Sequence, residues 1–410
     1  MPSKAGMFAA CLFWGLATIS CASADDTGLS GIPVPIDPES CGEDPADWAQ
    51  RALSRSSAPQ MGLPQVPHPA DNPPSVEKIE LGRKLFFDRR LSINNTMSCA
   101  MCHVPEQAFV NRELRTAVGV EGRSVKRNAP TVINAGFLDV LFHDGRETAL
   151  ETQFISPMVA RNEMANPSIG LVIAKLSSLP DYRGKFETAF GAPASVDRMG
   201  MALAAYQRSL VLGGSAFDRW YYGKEEDALD AEAKRGFEIF TGEAGCASCH
   251  EIGDEWALFT DQQFHDTGYG WMRERTRQRP PDSIRVEVAP GVFHDMDYAR
   301  VAAVGLARQS DIGRYEITEE PEDRWKFRTT PLRNVALTPP YMHDGALGTL
   351  EEVVDFYDSG GPGHPLQDPR IRPLGLSDGD KQALVAFLRS LTSPGIACLV
   401  AEARVHPPDN

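Results

Sequence analysis

The sequence predicts a mostly α fold of two tandem domains with long loops and an extended N-terminal arm. Three observations carry that prediction. The pentapeptide Cys-x-x-Cys-His occurs twice, as Cys99-Ala-Met-Cys102-His103 and Cys246-Ala-Ser-Cys249-His250. Apolar residues recur at helical spacing ahead of each copy and again near the C-terminus. No segment reads as a long alternating strand, while the stretch before Ser75 is crowded with proline.

The first residues have the form of an export signal: Lys4, an apolar run from Met7 to Ile19, and the small residues Ala22-Ser23-Ala24 before Asp25. Residues 1–24 are therefore expected to be a signal peptide, with a periplasmic destination for the rest. The run is too short to span a bilayer, and no later segment approaches the roughly 18 uninterrupted apolar residues such a helix needs. A lipoprotein reading through Cys21 stands as an alternative, although Thr18-Ile19-Ser20 matches the usual leucine-containing box poorly. Residues 25–74 form the expected proline-rich arm. A first domain is expected over 75–225 and a second over 226–410, one haem motif to each, with a polar connecting excursion over 266–325 where a partner could dock.

Ser75 is placed to cap a helix carrying Ile79, Leu81, Leu85 and Phe86 into the first motif. The run from Asp230 to Phe240 does the same for the second. Ser377 can cap a last helix with Leu384, Phe387, Leu388 and Leu391 on one stripe, stopped by Pro394-Gly395.

Two cysteines one helical turn apart can reach the two vinyl groups of a porphyrin while the adjoining imidazole lies beneath the iron, so each motif can hold a c-type haem and each domain is expected to be cytochrome c-like. Zinc or paired disulfides are the competing readings, but neither needs a histidine directly after each cysteine pair. Of eight cysteines, those outside the signal and the motifs are Cys41 and Cys398, which an oxidising compartment would pair. Two separate thiols remain the other possibility. The formal net charge of -15 argues against a nucleic-acid partner and mildly favours a basic one.

His103 and His250 each supply one axial ligand, so function turns on each sixth position. No histidine or methionine lies between His103 and Asn128, which leaves the first iron open to peroxide. Further on, Phe142-His143-Asp144-Gly145-Arg146 is followed by Gln153, Pro157 and Glu163. Cleaving an O–O bond needs a group that takes a proton from one oxygen and hands it to the other, and Glu163 can do this. By spacing alone Glu147 and Glu151 are equally available, and Glu163 could be a solvated helix-end residue. After Pro340-Tyr341-Met342-His343-Asp344-Gly345 comes a stripe of Leu350, Val353, Val354 and Tyr357, which points Tyr357 inward. On that basis alone it reads as a core residue or a ligand.

The runs Leu81-Gly-Arg-Lys-Leu-Phe-Phe-Asp88, Arg127-Asn-Ala-Pro-Thr-Val-Ile-Asn134, Leu141-Phe-His-Asp-Gly-Arg146 and Leu332-Arg-Asn-Val-Ala-Leu-Thr-Pro-Pro-Tyr-Met-His-Asp-Gly345 resemble the bacterial di-haem cytochrome c peroxidase and MauG superfamily. In that superfamily the classical peroxidases use a methionine as sixth ligand to the second haem. The matching position here is Tyr357, as in the MauG branch. A hard oxygen donor lowers the haem potential and favours oxidised iron, whereas a thioether raises it. The resemblance implies Gln153, Pro157 and Glu163 around the first haem. It also implies a calcium ion between the haems, held by the Asn128 side chain and the Thr338 and Pro340 carbonyls.

Two positions depart from the family. Many members have a tryptophan between the haems where this chain has His143, so either the two irons share charge without a ring relay or His143 serves mainly as a hydrogen-bonding bridge. MauG also has an exit tryptophan where this chain has Ala244, which leaves Trp256, Trp271 and Trp325 as relays or packing residues. The resemblance thus implies an enzyme that uses hydrogen peroxide to form a high-valent iron state and oxidises an aromatic side chain, tryptophan first, on a partner protein in the manner of the MauG-like protein MbnH. The alternatives are a peroxidase fed by a small redox protein and a non-catalytic di-haem electron carrier.

Overall fold

A helix pair held at van der Waals contact organises each half of the chain. The computed structural model describes residues 47–276, 282–297 and 310–405. The predicted signal peptide and Cys41 lie outside these, as do residues 25–46 of the arm. Val76–Phe87 and Val196–Ser209 form the first pair. Gly82 sits at their crossing, where a methyl group would lie 1.9 Å from the Ala202 carbonyl oxygen. Ala231–Thr241 and Asp378–Ser390 form the second pair, with Gly236 at the same 1.9 Å from the Ala383 carbonyl oxygen. Only a residue without Cβ permits these approaches, and they bring Phe86 against Tyr206 and Phe240 against Phe387, at ring separations of 5.3 and 4.9 Å. The expected caps are in place: Ser75 accepts from the Lys78 amide, Asp230 from Ala233, and Ser377 from Asp380 within a reciprocal capping box.

The two halves repeat one another well beyond the helix pairs. Asn134 and Asn334 both adopt left-handed backbone, with φ of 62° and 61°. Each side-chain oxygen accepts an amide hydrogen from the chain just past its partner helix, from Leu212 at 2.9 Å and from Ser393 at 2.8 Å. Single β-bridges follow in register, Leu141 with Glu147 and Tyr341 with Leu347. Phe142 and Met342 then take positive φ beside His143 and His343, ahead of Gly145 and Gly345. Counting equal numbers of residues on from those glycines leads to Pro157 in one half and to Tyr357 in the other.

The structure departs from expectation in three places. A helix over Trp48–Ser57 occupies part of the stretch expected to be extended, with Trp48, Ala49 and Ala52 buried in the first core. The C-terminal helix Ile396–Arg404 also packs into the first core, through Ile396, Leu399 and Ala403, rather than into the second. Strands were not expected, yet Ser283–Ala289 and Val292–Asp297 form an antiparallel hairpin turning at Pro290-Gly291. The run Ser283-Ile-Arg-Val-Glu-Val288 alternates polar and apolar residues but is short, and Val288, Val292, Phe293 and Met296 are exposed. A short ladder, Phe264 with Arg328 and His265 with Phe327, closes the base of this excursion. No helix among the described residues is long and apolar enough to cross a membrane.

Candidate functional site

Cys99–Cys102 forms one turn of helix and Cys246–Ser248 a 3-10 turn, and in both the amide of the following histidine donates to the carbonyl of the first cysteine at 2.9 Å. The imidazoles are fixed alike. His103 donates through Nδ1 to the Phe109 carbonyl at 3.2 Å, and His250 to the Phe259 carbonyl at 2.8 Å. Those bonds set the tautomer and leave each Nε2 lone pair free for a metal. Burial pulls both imidazoles below their ordinary pKa, so they stay neutral. It also pushes the thiols of Cys99, Cys102 and Cys246 up to about 12, so they are held protonated.

Each motif opens into its own cavity. The first is lined by Cys99, Cys102 and His103 together with Gln153, Pro157 and Glu163. Burial raises the Glu163 carboxyl pKa, with only the Arg146 charge opposing it. The carboxylate lies near enough to push both Cys99 and Cys102 further up. The three glutamates differ in their partners: Glu151 pairs with Arg208 and accepts from Asn72 at 2.9 Å, while Glu147 accepts from Thr148 and Thr152. Glu163 alone of the three faces this cavity.

The second cavity is lined by Cys246, Cys249, His250 and Tyr357. The helix Leu350–Asp358, started by a Thr349/Glu352 capping box, delivers Tyr357 into it. The phenol has no hydrogen-bond partner among the described residues, and burial pushes its pKa up. Asn128, Thr338 and Pro340 stand along the same wall. The Asn128 side-chain amide donates to the Arg115 carbonyl at 3.0 Å, which leaves its side-chain oxygen available.

Asn128, His143 and Arg328 line both cavities and form the partition between them. His143 donates through Nε2 to the Asn128 carbonyl at 3.0 Å. Burial, then the charges of Arg127 and Arg328, hold its pKa down at about 3, so it is a neutral imidazole. Arg127 in turn pairs with Asp144 and with Asp311 across the two halves. Of the three tryptophans considered as relays, Trp256 is exposed, whereas Trp271 stacks on His364 at 4.9 Å and Trp325 meets the same ring edge-on at 5.6 Å. Ala244 packs against the second core. Sequence reasoning missed Arg328 and the ion pairs around Arg127, whose partners lie in distant segments. Cys398 is disulfide-bonded, while Cys41, its expected partner, lies outside the described residues.

Two cavities, each with a cysteine pair and an oriented imidazole, define a protein built for two covalently attached haems. Comparison with known proteins agrees. Residues 76–226 match the family described as di-haem cytochrome c peroxidase. The chain is 37% identical over 350 residues to the methylamine utilization protein MauG of Methylorubrum extorquens, which covers 84% of this chain and 87% of that one. It is 35% identical over 351 residues to a cytochrome-c peroxidase of Denitromonas iodatirespirans, across 84% of this chain and 89% of its relative. Among solved structures, a MauG-like protein associated with microbial copper homeostasis superposes with a TM-score of 0.67 at 31% identity, over 86% of this chain and all of that one (100%). The chain belongs to the di-haem cytochrome c peroxidase and MauG family. Oxidoreductase chemistry on two c-type haems comes with that membership.

Proposed function

We propose that this chain is an exported enzyme that spends hydrogen peroxide on oxidising an aromatic side chain, tryptophan first, of a separate protein. One observation carries the reading: equivalent positions in the two halves hold Pro157, which offers no ligand atom, and Tyr357, which offers a phenol oxygen. Proline at that point would leave the first haem open to peroxide. Tyrosine would offer the second haem a hard donor, and such a donor lowers the potential and favours oxidised iron. When bound, the two haems supply peroxide reduction and storage of the resulting oxidising equivalents.

The residues of the chain have the remaining tasks. Glu163 takes a proton from the near oxygen of peroxide and returns it to the departing one, and its buried, partnerless setting favours carrying the proton. Gln153 offers an amide to orient the peroxide. His143, neutral and tied to the Asn128 carbonyl, holds the partition rigid rather than titrating. Calcium bound by the Asn128 side chain and the Thr338 and Pro340 carbonyls would fix that same wall. The same reading includes domains at 75–225 and 226–410, a Cys41–Cys398 bridge and a periplasmic location.

The name cytochrome-c peroxidase on one relative favours a second reading, in which a small redox protein feeds electrons to the same site. The test is to add one equivalent of peroxide to the purified protein without any donor. Persistence of two oxidising equivalents, followed by a mass change in a protein substrate, supports side-chain oxidation. Rapid turnover with a small cytochrome or copper protein, without persistence, supports the peroxidase instead.

A further inference from the structure

Arg328 is a buried charge that the chain itself does not neutralise. Its residue is 5% exposed, yet its side-chain contacts are carbonyl oxygens: Nε donates to Phe142 at 3.1 Å, and a terminal nitrogen makes a long contact of 3.4 Å with Thr329. Three other arginines set deep in the fold meet carboxylates. Arg127 has Asp144 and Asp311, Arg208 has Glu151, and Arg333 has Asp218. No carboxylate among the described residues pairs with Arg328. Burial alone pulls its pKa down to about 10. His143 alongside is neutral and supplies no negative charge.

The backbone holds this guanidinium in place from both halves. The Arg328 amide donates to the His143 carbonyl at 2.8 Å, and the residue sits in the two-residue ladder with Phe264. Its side chain reaches the wall that both cavities share. A buried, unpaired cation is strongly unfavourable unless an anion arrives to meet it, and the planar fork of a guanidinium fits carboxylates. Each haem carries two carboxylates on its edge, and family membership places one haem in each cavity.

We propose that Arg328 is a cofactor-binding residue that bridges the two haem pockets, pairing with a propionate carboxylate of each haem and so setting the potentials of both. The proposal rests on the di-haem reading, which a count of covalently bound haem per chain tests separately. A fixed positive charge beside each porphyrin edge favours the reduced iron, so removing it lowers the potential.

The experiment is a spectroelectrochemical titration of the holoprotein and of Arg328→Gln and Arg328→Lys, each first shown to carry two haems. Both midpoints should fall in Arg328→Gln and stay near those of the parent in Arg328→Lys. A shift of only one haem, or of neither, overturns the bridge. Titrating the parent with inorganic phosphate separates the haem carboxylates from a solution anion: insensitivity is expected, and potentials that follow phosphate and lose that response in Arg328→Gln overturn the proposal. Should Arg328→Gln not fold, resonance Raman of Arg328→Lys reads the propionate bending modes directly. Altered modes on both haems are expected, and unaltered modes overturn the proposal.

Discussion

Replacing Glu163 with glutamine should slow the enzyme and stabilise it at once. The side chain faces the first cavity, and the one charge found to favour its ionised form is Arg146. Glutamine keeps the shape and the hydrogen-bonding capacity but cannot take a proton. A positioned acid–base group contributes about 10²–10⁴-fold to such a step, so the rate of peroxide consumption should fall by that factor. Stability should move the other way. Because burial raises the pKa of this carboxyl, the folded protein holds the proton more tightly than the unfolded chain, and the carboxylate present at neutral pH costs stability. Glutamine removes that cost, so the variant should be the more stable of the two at pH 7. The gain should fade as pH falls from the raised folded value toward the ordinary carboxylate value of about 4.3, and be absent below it, where both states are protonated. Stopped-flow peroxide consumption and thermal unfolding at pH 7 and pH 4 read the two halves of the prediction. A rate within about threefold of the parent, against the expected 10²–10⁴ loss, would show that Glu163 carries no proton. A loss of stability at pH 7 would show that its carboxylate has a partner when the haems are bound.

Further outcomes follow from packing. Gly236→Ala forces a methyl group to within 1.9 Å of the Ala383 carbonyl oxygen, so the helix pair must separate, at a cost of about 3 kcal/mol or more. A thermal midpoint unchanged from the parent would contradict the close crossing. Arg333→Ala leaves Asp218 charged at 0% exposure and removes bonds that also hold the Gly62 and Ala257 carbonyls, which should cost about 3–5 kcal/mol by denaturant titration. A loss below about 1 kcal/mol would mean that water reaches the site. Asn128→Ala should weaken calcium binding measured by calorimetry on chelator-stripped protein, and an affinity equal to that of the parent would remove the asparagine from the ligand set.

Local signals made the helices legible. The caps at Ser75, Asp230 and Ser377 and the apolar stripes behind them are contained within single segments, and the two pentapeptides carry their own geometry. By spacing alone Glu163 was not distinguishable from Glu147 and Glu151, because Arg208 and Asn72 reach Glu151 only on folding. Arg328 was invisible for the same reason, since its meaning comes from the Phe142 and His143 carbonyls of the other half. The hairpin over 283–297 carries only a short alternation at Ile284, Val286 and Val288, too brief to read as a long strand, and Val288, Val292, Phe293 and Met296 are exposed. The helix Ile396–Arg404 has an apolar stripe that sequence alone assigns to the nearest core, while the chain carries it to the farther one. The correspondence of Pro157 with Tyr357 was hidden because most side chains differ between the halves, and the shared backbone turns at Asn134 and Asn334 reveal it.

The asymmetry between those two positions is tested most directly by electron paramagnetic resonance of the oxidised holoprotein, compared with Tyr357→Met. The account predicts one high-spin ferric haem and one low-spin haem, with the substitution moving only the low-spin signal and raising the potential of that haem. Two low-spin signals in the parent, or a low-spin signal indifferent to Tyr357→Met, would contradict it.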